Sequence, residues 1–166
     1  MAKKSAREKL ESSHHLPQLK QAPEKWGGGK MLIPHPQDLQ ALMKQVRKGR
    51  LTTSTVLREI LADVYGADIC CPMVTGIFQN LVAAAAFESE QEGKKRITPY
   101  WRTLRKDGEL NPKYPGGLDA HRAALENEGH RVIQKGRKFY CVVEDSNLFR
   151  PGLTTTYQIA ECQGLR

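Results

Sequence analysis

Two neighbouring aromatic side chains and an arginine follow a proline in the segment best able to carry chemistry, Pro99-Tyr100-Trp101-Arg102. Pro99 fixes its own backbone φ and disfavours helix at the residue before it. Two rings in so polar a stretch suit a half-open pocket, in which the ring bodies are covered and their polar edges face outward. The alternative interpretation is that both rings pack in an ordinary core. The pattern predicts a pocket at Tyr100 and Trp101.

Positive charge is concentrated around this segment. The chain has a formal net charge of +8, and its isoelectric point is about 9.4. Six cations and no acid lie between residues 94 and 106: Lys94, Lys95, Arg96, Arg102, Arg105 and Lys106. A solvated basic face is one explanation of such a run. Because the run adjoins a candidate pocket, we expect a polyanionic partner, and DNA first.

Cysteines offer a second possible chemistry. Cys70 and Cys71 precede Pro72 at the start of a predicted helix, where the helix dipole favours a thiolate. The alternative is two small buried residues at a helix start. The four cysteines of the chain lack the spacing of a metal finger, so we predict no metal and no other cofactor.

Composition also bears on where the protein works. No run of the sequence approaches eighteen apolar residues, so we expect no membrane span. The first residues lack the apolar region of a signal peptide. Together with the cysteine usage, these features predict a reduced, cytoplasmic protein.

Two further motifs lie at fixed distances after the tetrad: Tyr114-Pro115-Gly116-Gly117-Leu118 and the pair Glu128-Gly129. The tetrad, this loop and the closing pair resemble the active-site half of the alkylguanine-DNA alkyltransferases and alkyltransferase-like proteins. The resemblance extends upstream through Gly49–Ser54 and Val74–Gln79, and covers about residues 45 to 132. It implies a winged helix-turn-helix domain that binds DNA from the minor groove, flips an alkylated guanine and moves the alkyl group to a cysteine.

The chemistry that the resemblance implies is missing from the tetrad. Tyr100 stands in the place of the acceptor cysteine, and a phenol is mostly protonated at neutral pH and is a poor alkyl acceptor. Trp101 replaces the histidine that polarises the thiol, and an indole N–H can only donate a hydrogen bond. Glu128 keeps the place of the orienting carboxylate, but we expect it to have lost its partner. We therefore assign no catalytic residue.

Residues that handle DNA in the family also differ. Gln79 takes the place of the recognition-helix arginine, and Ser54 takes the place of the tyrosine that helps to rotate the phosphate. Arg102, Tyr114, Gly116 and Gly117 fit the family, and the resemblance places them with Tyr100, Trp101 and Glu128 around the pocket. Glycines there would let the backbone close over a ligand. A purely structural role is the alternative.

Periodicity supplies the elements that would position these residues. We predict an α+β fold: a flexible basic N-terminal arm over residues 1–30, a small winged helix-turn-helix domain over 31–144 and a C-terminal extension over 145–166. Apolar spacing predicts helices near Leu39, after Ser54 and from Pro72, and a β-hairpin follows Gly129. In the third helix the predicted buried side contains Val74, Ile77, Phe78, Leu81, Val82 and Ala85. Gln79 lies off that side.

Three functions fit this sequence. The first is a non-catalytic, alkyltransferase-like protein that binds duplex DNA and senses modified or flipped bases. It would use the tetrad pocket together with Ser54, Gln79 and the basic run. The second is a cysteine alkyltransferase that uses Cys70 or Cys71. The third is a protein-interaction module whose basic surface meets an acidic partner.

Overall fold

A computed structural model of the chain describes residues 2–12 and 15–152. These residues form an α+β fold of five helices and three small sheets, which confirms the predicted fold class. The helices are α1 (Ala6–Glu11), α2 (Pro36–Met43), α3 (Ser54–Tyr65), α4 (Pro72–Gln91) and α5 (Gly117–Asn127). The strands are β1 (Gln18–Gln21), β2 (Lys30–Ile33), β3 (Thr52–Thr53), β4 (Ile69–Cys70), β5 (Thr103–Leu104), β6 (Val132–Lys135) and β7 (Lys138–Cys141). Short 3-10 helices occupy Glu24–Trp26, Tyr100–Arg102 and Lys106–Gly108.

Local signals set the ends of α3 and α4. The Thr53 hydroxyl accepts the Val56 N–H at 3.3 Å and caps α3. The helix ends at Gly66, whose φ of 65° is one that glycine adopts without a steric penalty. Helix α4 begins at Pro72, a favoured first-turn residue because its missing N–H would have no helical partner. The observed starts of α3 and α4 confirm the predicted ones.

The buried face of α4 differs from the predicted one. Thr75, Gln79 and Val82 are fully buried, whereas 57% of Ile77 is exposed. The prediction that Ile77 is buried and Gln79 is not is therefore wrong. Hydrophobicity alone gives the wrong face because the Gln79 amide has hydrogen-bond partners inside the protein. With those bonds made, a polar side chain can lie in the interior.

Two hydrophobic cores meet at the aromatic tetrad. The larger lies among α2, α3 and α4 and contains Leu39, Leu42, Leu57, Leu61 and Val82. The smaller contains Leu51, Leu104, Leu110, Leu125 and Cys141. Tyr100 packs against the larger core and Trp101 against the smaller one. The tetrad therefore joins the two cores. Parallel pairing of β3 with β5 fixes it beside the start of α3.

In the part that the structure describes, the first thirty residues, for which the sequence predicts a flexible arm, pack against the domain. Helix α1 packs on α4 and buries Leu10, and the backbone N–H of Ala6 donates to the Glu88 carboxylate at 2.8 Å. Strand β1 pairs antiparallel with β2, which in turn pairs parallel with β4. A low apolar content by itself favours a segment that does not pack. A few buried side chains, Leu10 and Ala22 among them, are nevertheless enough to dock it.

The predicted β-hairpin is confirmed. Its strands β6 and β7 pair with Lys135 opposite Lys138, so the two-residue turn is Gly136–Arg137. Beyond it, the Phe149 N–H donates to the Leu51 carbonyl at 2.7 Å, which returns this part of the C-terminal extension to the domain. Residues 153–166, with Cys162, lie outside the described residues. Among the helices of the described ranges, none is both long and apolar enough to cross a bilayer.

Candidate functional site

Tyr100 and Trp101, the two rings of the predicted pocket, line an open cleft. The cleft has a volume of about 460 Å³, and we call it the Tyr100 cleft. Its lining residues are Lys48, Glu90, Tyr100, Trp101, Ala124, Asn127 and Glu128. The two rings meet edge to face with centroids 5.3 Å apart, a favourable geometry for an aromatic pair. Both side chains are half-buried, so each presents part of its ring to the cleft.

Arg102 and Glu128 form the ionic centre of the tetrad. The Arg102 Nη2 donates to Glu128 Oε1 at 2.6 Å, and its Nε donates to both carboxylate oxygens. The Arg102 Nη1 also donates to the Val46 carbonyl at 2.8 Å. These bonds hold the guanidinium inside the fold, and Arg102 is not among the residues that line the Tyr100 cleft.

Glu128 has partners, contrary to the sequence-based expectation. Besides Arg102, the Trp101 indole Nε1 donates to Glu128 Oε1 at 3.1 Å. Burial alone would raise the pKa of this carboxyl, but the hydrogen bonds from Arg102 and Trp101 outweigh burial, so the net direction is downward. The indole thus keeps a hydrogen bond to the carboxylate, but it provides no base.

Tyr114 lies behind the Tyr100 cleft and does not line it. Its hydroxyl donates to the Thr103 carbonyl and accepts the Gln79 Nε2–H, each at 2.8 Å. Gln79 Oε1 accepts the Ser54 hydroxyl at 2.7 Å. The Tyr114 ring packs edge-on against Tyr100 with centroids 5.3 Å apart. Gln79 and Tyr114 thus fill the space between the first half of α4 and the Tyr100 ring.

The glycine pair serves the start of α5. Gly116 has a φ of 83° and precedes the helix, and a Cβ built there would lie 2.5 Å from the Ala120 Cβ. Only glycine fits this close approach without a shift. Gly117 also has a positive φ, of 75°. Neither glycine lines the Tyr100 cleft. The prediction that the backbone of this pair closes over a ligand in the cleft is therefore wrong.

Tyr100 is poorly suited to accept an alkyl group. Burial, followed by the nearby Glu90 carboxylate, raises the pKa of its phenol above the ordinary value of 10.0. The phenol is therefore protonated at neutral pH. A protonated phenol is a weak nucleophile, and the surrounding residues that line the cleft include no histidine to deprotonate it.

A buried histidine, His121, is hydrogen-bonded to the backbone of the tetrad. The His121 Nδ1 accepts the Asn111 N–H at 3.1 Å, which leaves Nε2 to donate to the Trp101 carbonyl at 2.8 Å. Burial lowers the pKa of His121 to about 4, because the charged imidazolium would lose its hydration. His121 is therefore neutral in the folded protein at physiological pH. His121 belongs to none of the motifs that mark the site in the sequence.

Mild acid should destabilise the fold through His121. The pKa of about 4 in the folded protein lies below the ordinary histidine pKa of 6.5. The stabilisation is complete above pH 6.5 and is lost as pH falls toward 4, because the unfolded chain binds the proton more tightly. We expect a loss of about 2 kcal/mol between roughly pH 7.5 and pH 5, measured by urea unfolding. A His121→Gln variant keeps a donor and an acceptor but does not titrate. An unchanged pH dependence in that variant would contradict the assignment.

The basic run does not surround the Tyr100 cleft. Lys94, Lys95 and Arg96 are exposed beyond the C-terminal end of α4, and two of them line a separate cleft beside α1. Arg105 and Lys106 lie near the N-terminal half of α4. The expectation of one basic surface around the aromatic pocket is therefore corrected. The run is divided because the tetrad segment crosses the protein between its two ends.

One groove combines cations with exposed apolar side chains. It has a volume of about 580 Å³ and lies along the first half of α4, and we call it the α4 groove. Its cations are Arg58, Arg105, Lys106 and Lys113. Met73 and Ile77, one helical turn apart, are 64% and 57% exposed within it. Ser54 and Gln79 also line it, although Gln79 is only 1% exposed.

Among the residues of the α4 groove that the sequence does not mark as functional are Arg58, Met73, Ile77 and Lys113. Arg58 and Lys113 stand apart from the basic run and are brought to it only by the fold. Met73 and Ile77 look like core residues by composition. A spacing of four marks them as one helix face, but the sequence offers no sign that this face is the open one.

The helix-start cysteines are buried and do not form an activated site. Cys70 is 1% exposed, and its Sγ lies 3.4 Å from the Thr75 hydroxyl oxygen. Burial raises the pKa of the Cys70 thiol to about 11, which overturns the expectation that the helix dipole makes it a thiolate. Cys71 is 5% exposed. A covered thiol cannot approach an alkylated base without opening the fold.

Comparison with known proteins gives one structural match. No family model matches the chain, and no curated protein matches it in sequence. The crystal structure of Atl1 from S. pombe, in complex with damaged DNA containing O6-carboxymethylguanine, is similar with a TM-score of 0.47 and 14% identity. The match covers 70% of this chain and 94% of that chain.

Proposed function

We propose that this chain binds duplex DNA through the α4 groove and transfers no alkyl group. The observation that supports the proposal is the pair of exposed apolar side chains, Met73 and Ile77, among four cations. In helix-turn-helix proteins, the second helix commonly lies in the major groove of the DNA. Here that helix would be α4. Its first half carries the exposed face.

The groove composition matches what a duplex presents. Arg58, Arg105, Lys106 and Lys113 would contact phosphates, which supply most of the affinity and make it depend on salt. Met73 and Ile77 would face the base edges or a base step, where apolar side chains of DNA-binding proteins make contact. The remaining groove residues are mostly small or polar, so the sugar-phosphate backbone of a duplex can approach α4 closely.

We further propose that binding does not require an extruded base in the Tyr100 cleft. A base leaving the duplex at the α4 groove would meet Gln79 and Tyr114 before it reached Tyr100. Both side chains are fully buried and hydrogen-bonded to each other. We therefore expect similar affinity for a duplex with and without an O6-alkylated guanine.

Fluorescence anisotropy with a short duplex tests this function. We expect binding that weakens by at least about tenfold between 50 and 200 mM salt, because counterion release dominates. An alkylated duplex measured in parallel should bind equally well. Absence of duplex binding even at low salt would overturn the proposal. Much tighter binding of the alkylated duplex would show instead that the base does reach an aromatic pocket.

Intact-mass measurement tests the absence of transfer. After incubation with an oligonucleotide that carries O6-methylguanine, we expect an unchanged protein mass, because Tyr100 is a protonated phenol and Cys70 is a buried thiol. Peptide mapping would identify any modified residue. One added methyl group on Cys70, Cys71 or Tyr100 would contradict this prediction.

A protein partner is the second candidate, because the same exposed apolar pair also suits a partner with an acidic rim. The two functions differ in one observation. Co-purification of a protein that survives nuclease treatment, together with loss of that protein in an Ile77→Ser variant, would favour the interaction module over DNA binding.

A further inference from the structure

A second dense cluster of cations lies outside the α4 groove. Residues 44–50 read KQVRKGR and follow α2, with four cations and no acid. All four side chains are exposed: Lys44, Arg47, Lys48 and Arg50. This is a denser run of charge than the one between residues 94 and 106.

These cations frame a groove with an aromatic side chain in it. The groove has a volume of about 680 Å³ and is lined by Lys44, Gln45, Arg47, Arg50 and Phe149. Its walls are fixed by bonds between distant segments. Arg50 Nη1 donates to the Ser146 carbonyl at 2.7 Å, and the Gln45 side chain bonds both the N–H and the carbonyl of Gly152. None of the lining residues carries a carboxylate.

The groove shares Lys44 with one neighbouring cleft, and Lys48, which follows Arg47 in the chain, lines another. Lys44 also lines the cleft beside α1, together with Arg7, Lys94 and Arg96. Lys48 reaches the Tyr100 cleft, where Tyr100 and Trp101 are half-exposed. We call this surface, formed by residues 44–50, Lys94, Arg96 and Phe149, the basic band. Two carboxylates, Glu90 and Glu128, line the Tyr100 cleft, and Glu128 is paired with Arg102.

The basic band and the α4 groove are separate surfaces. Lys94 and Arg96 of the band follow the C-terminal end of α4, whereas Met73 and Ile77 lie near its N-terminal end. A helix of this length spans about 30 Å. The band therefore cannot be the rim of the α4 groove, and its charge needs a separate explanation.

We propose that the basic band binds single-stranded DNA. Cations in a groove follow a phosphate backbone, and rings between them stack on bases. The band supplies both, with Phe149 beside Lys44 and Arg47, and the adjoining Tyr100 cleft adds Tyr100 and Trp101 beside Lys48. A single strand has free base faces, whereas a duplex stacks its bases internally and offers no face to a ring. The strand therefore suits this surface better than a duplex does.

Anisotropy titration of the full chain with an oligothymidylate tests the inference, because this strand forms no duplex. A Lys44→Gln/Arg47→Gln/Arg50→Gln variant should bind it at least about tenfold more weakly, and the slope of log affinity against log salt should fall by about two units. A Phe149→Ala variant keeps every charge and should lose about fivefold or more through stacking. Both variants should retain duplex affinity within about twofold.

A matched variant controls for charge alone. Lys20→Gln/Lys25→Gln/Lys30→Gln removes three exposed cations that line neither the band nor the α4 groove, and it should bind the strand like the natural chain. Melting curves check that each variant folds. If the Lys44→Gln/Arg47→Gln/Arg50→Gln variant does not fold, the strand affinity of Phe149→Ala is the test. Failure of the natural chain to bind the strand, or an equal loss in the control, would overturn the inference. Binding of the duplex without binding of the single strand would overturn the inference but would leave the proposed duplex-binding function intact.

Discussion

A variant with Arg58, Arg105, Lys106 and Lys113 changed to Gln will bind duplex DNA on the order of 100-fold more weakly than the natural chain. The four side chains belong to three separate segments and meet only in the α4 groove. Each phosphate contact that is lost removes one released counterion. The slope of log affinity against log salt should therefore fall by about 3 to 4 units.

The control for this variant removes the same charge elsewhere. Lys3, Lys20, Lys25 and Lys30 are exposed and line neither the α4 groove nor the basic band. Their replacement by Gln should change duplex affinity by less than about threefold, because distant charges are screened at ordinary salt. A loss as large as that of the groove variant would mean that net charge, rather than the α4 groove, determines binding.

An Arg102→Met variant will lose about 3 kcal/mol of the free energy of unfolding. Arg102 and Glu128 are only 14% and 9% exposed, so the change leaves a carboxylate buried without its main partner. It also removes the hydrogen bond to the Val46 carbonyl. Urea unfolding followed by tryptophan fluorescence measures the loss, since Trp101 donates to the same carboxylate.

A double-mutant cycle shows whether the loss comes from the pair. Glu128→Gln keeps an acceptor for Trp101 but removes the charge, and the combined variant should be less destabilised than the sum of the two single variants. Near-additive effects, or a loss below about 1 kcal/mol for Arg102→Met, would contradict a structural role for the pair. Retained duplex binding in these variants would separate that role from DNA contact.

Features with local causes were predictable from the sequence. The cap at Thr53, the stop at Gly66 and the start at Pro72 depend on neighbouring residues, so the local sequence is enough to indicate each of them. The hairpin is also local, because its two strands flank a two-residue turn. Such signals need no knowledge of distant contacts.

Features that depend on distant contacts were not predictable in the same way. Gln79 is buried because Ser54 and Tyr114, far away in the sequence, satisfy its amide. Ile77 is exposed as a direct consequence, because the face opposite Gln79 is turned outward. The division of the basic run has the same origin, since only the folded chain shows which cations share a groove.

Some of what was missed had a sequence signal. Ser5 and Glu8 form a reciprocal capping box at the start of α1, and that spacing is visible in the sequence. The charge density of residues 44–50 also marks part of the basic band, because this run has four cations in seven residues. The first signal argues for an ordered N-terminal segment. The second argues for a second basic surface.

The position of DNA on the protein is the central claim, and site-specific photocrosslinking tests it most directly. Ile77 is replaced by p-benzoylphenylalanine, which its 57% exposure allows, and Lys20 is replaced in a matched control. Illumination with a labelled duplex should produce a crosslink from position 77 and little or none from position 20. A crosslink confined to position 20, or none at position 77 while the duplex is demonstrably bound, would contradict binding through the α4 groove.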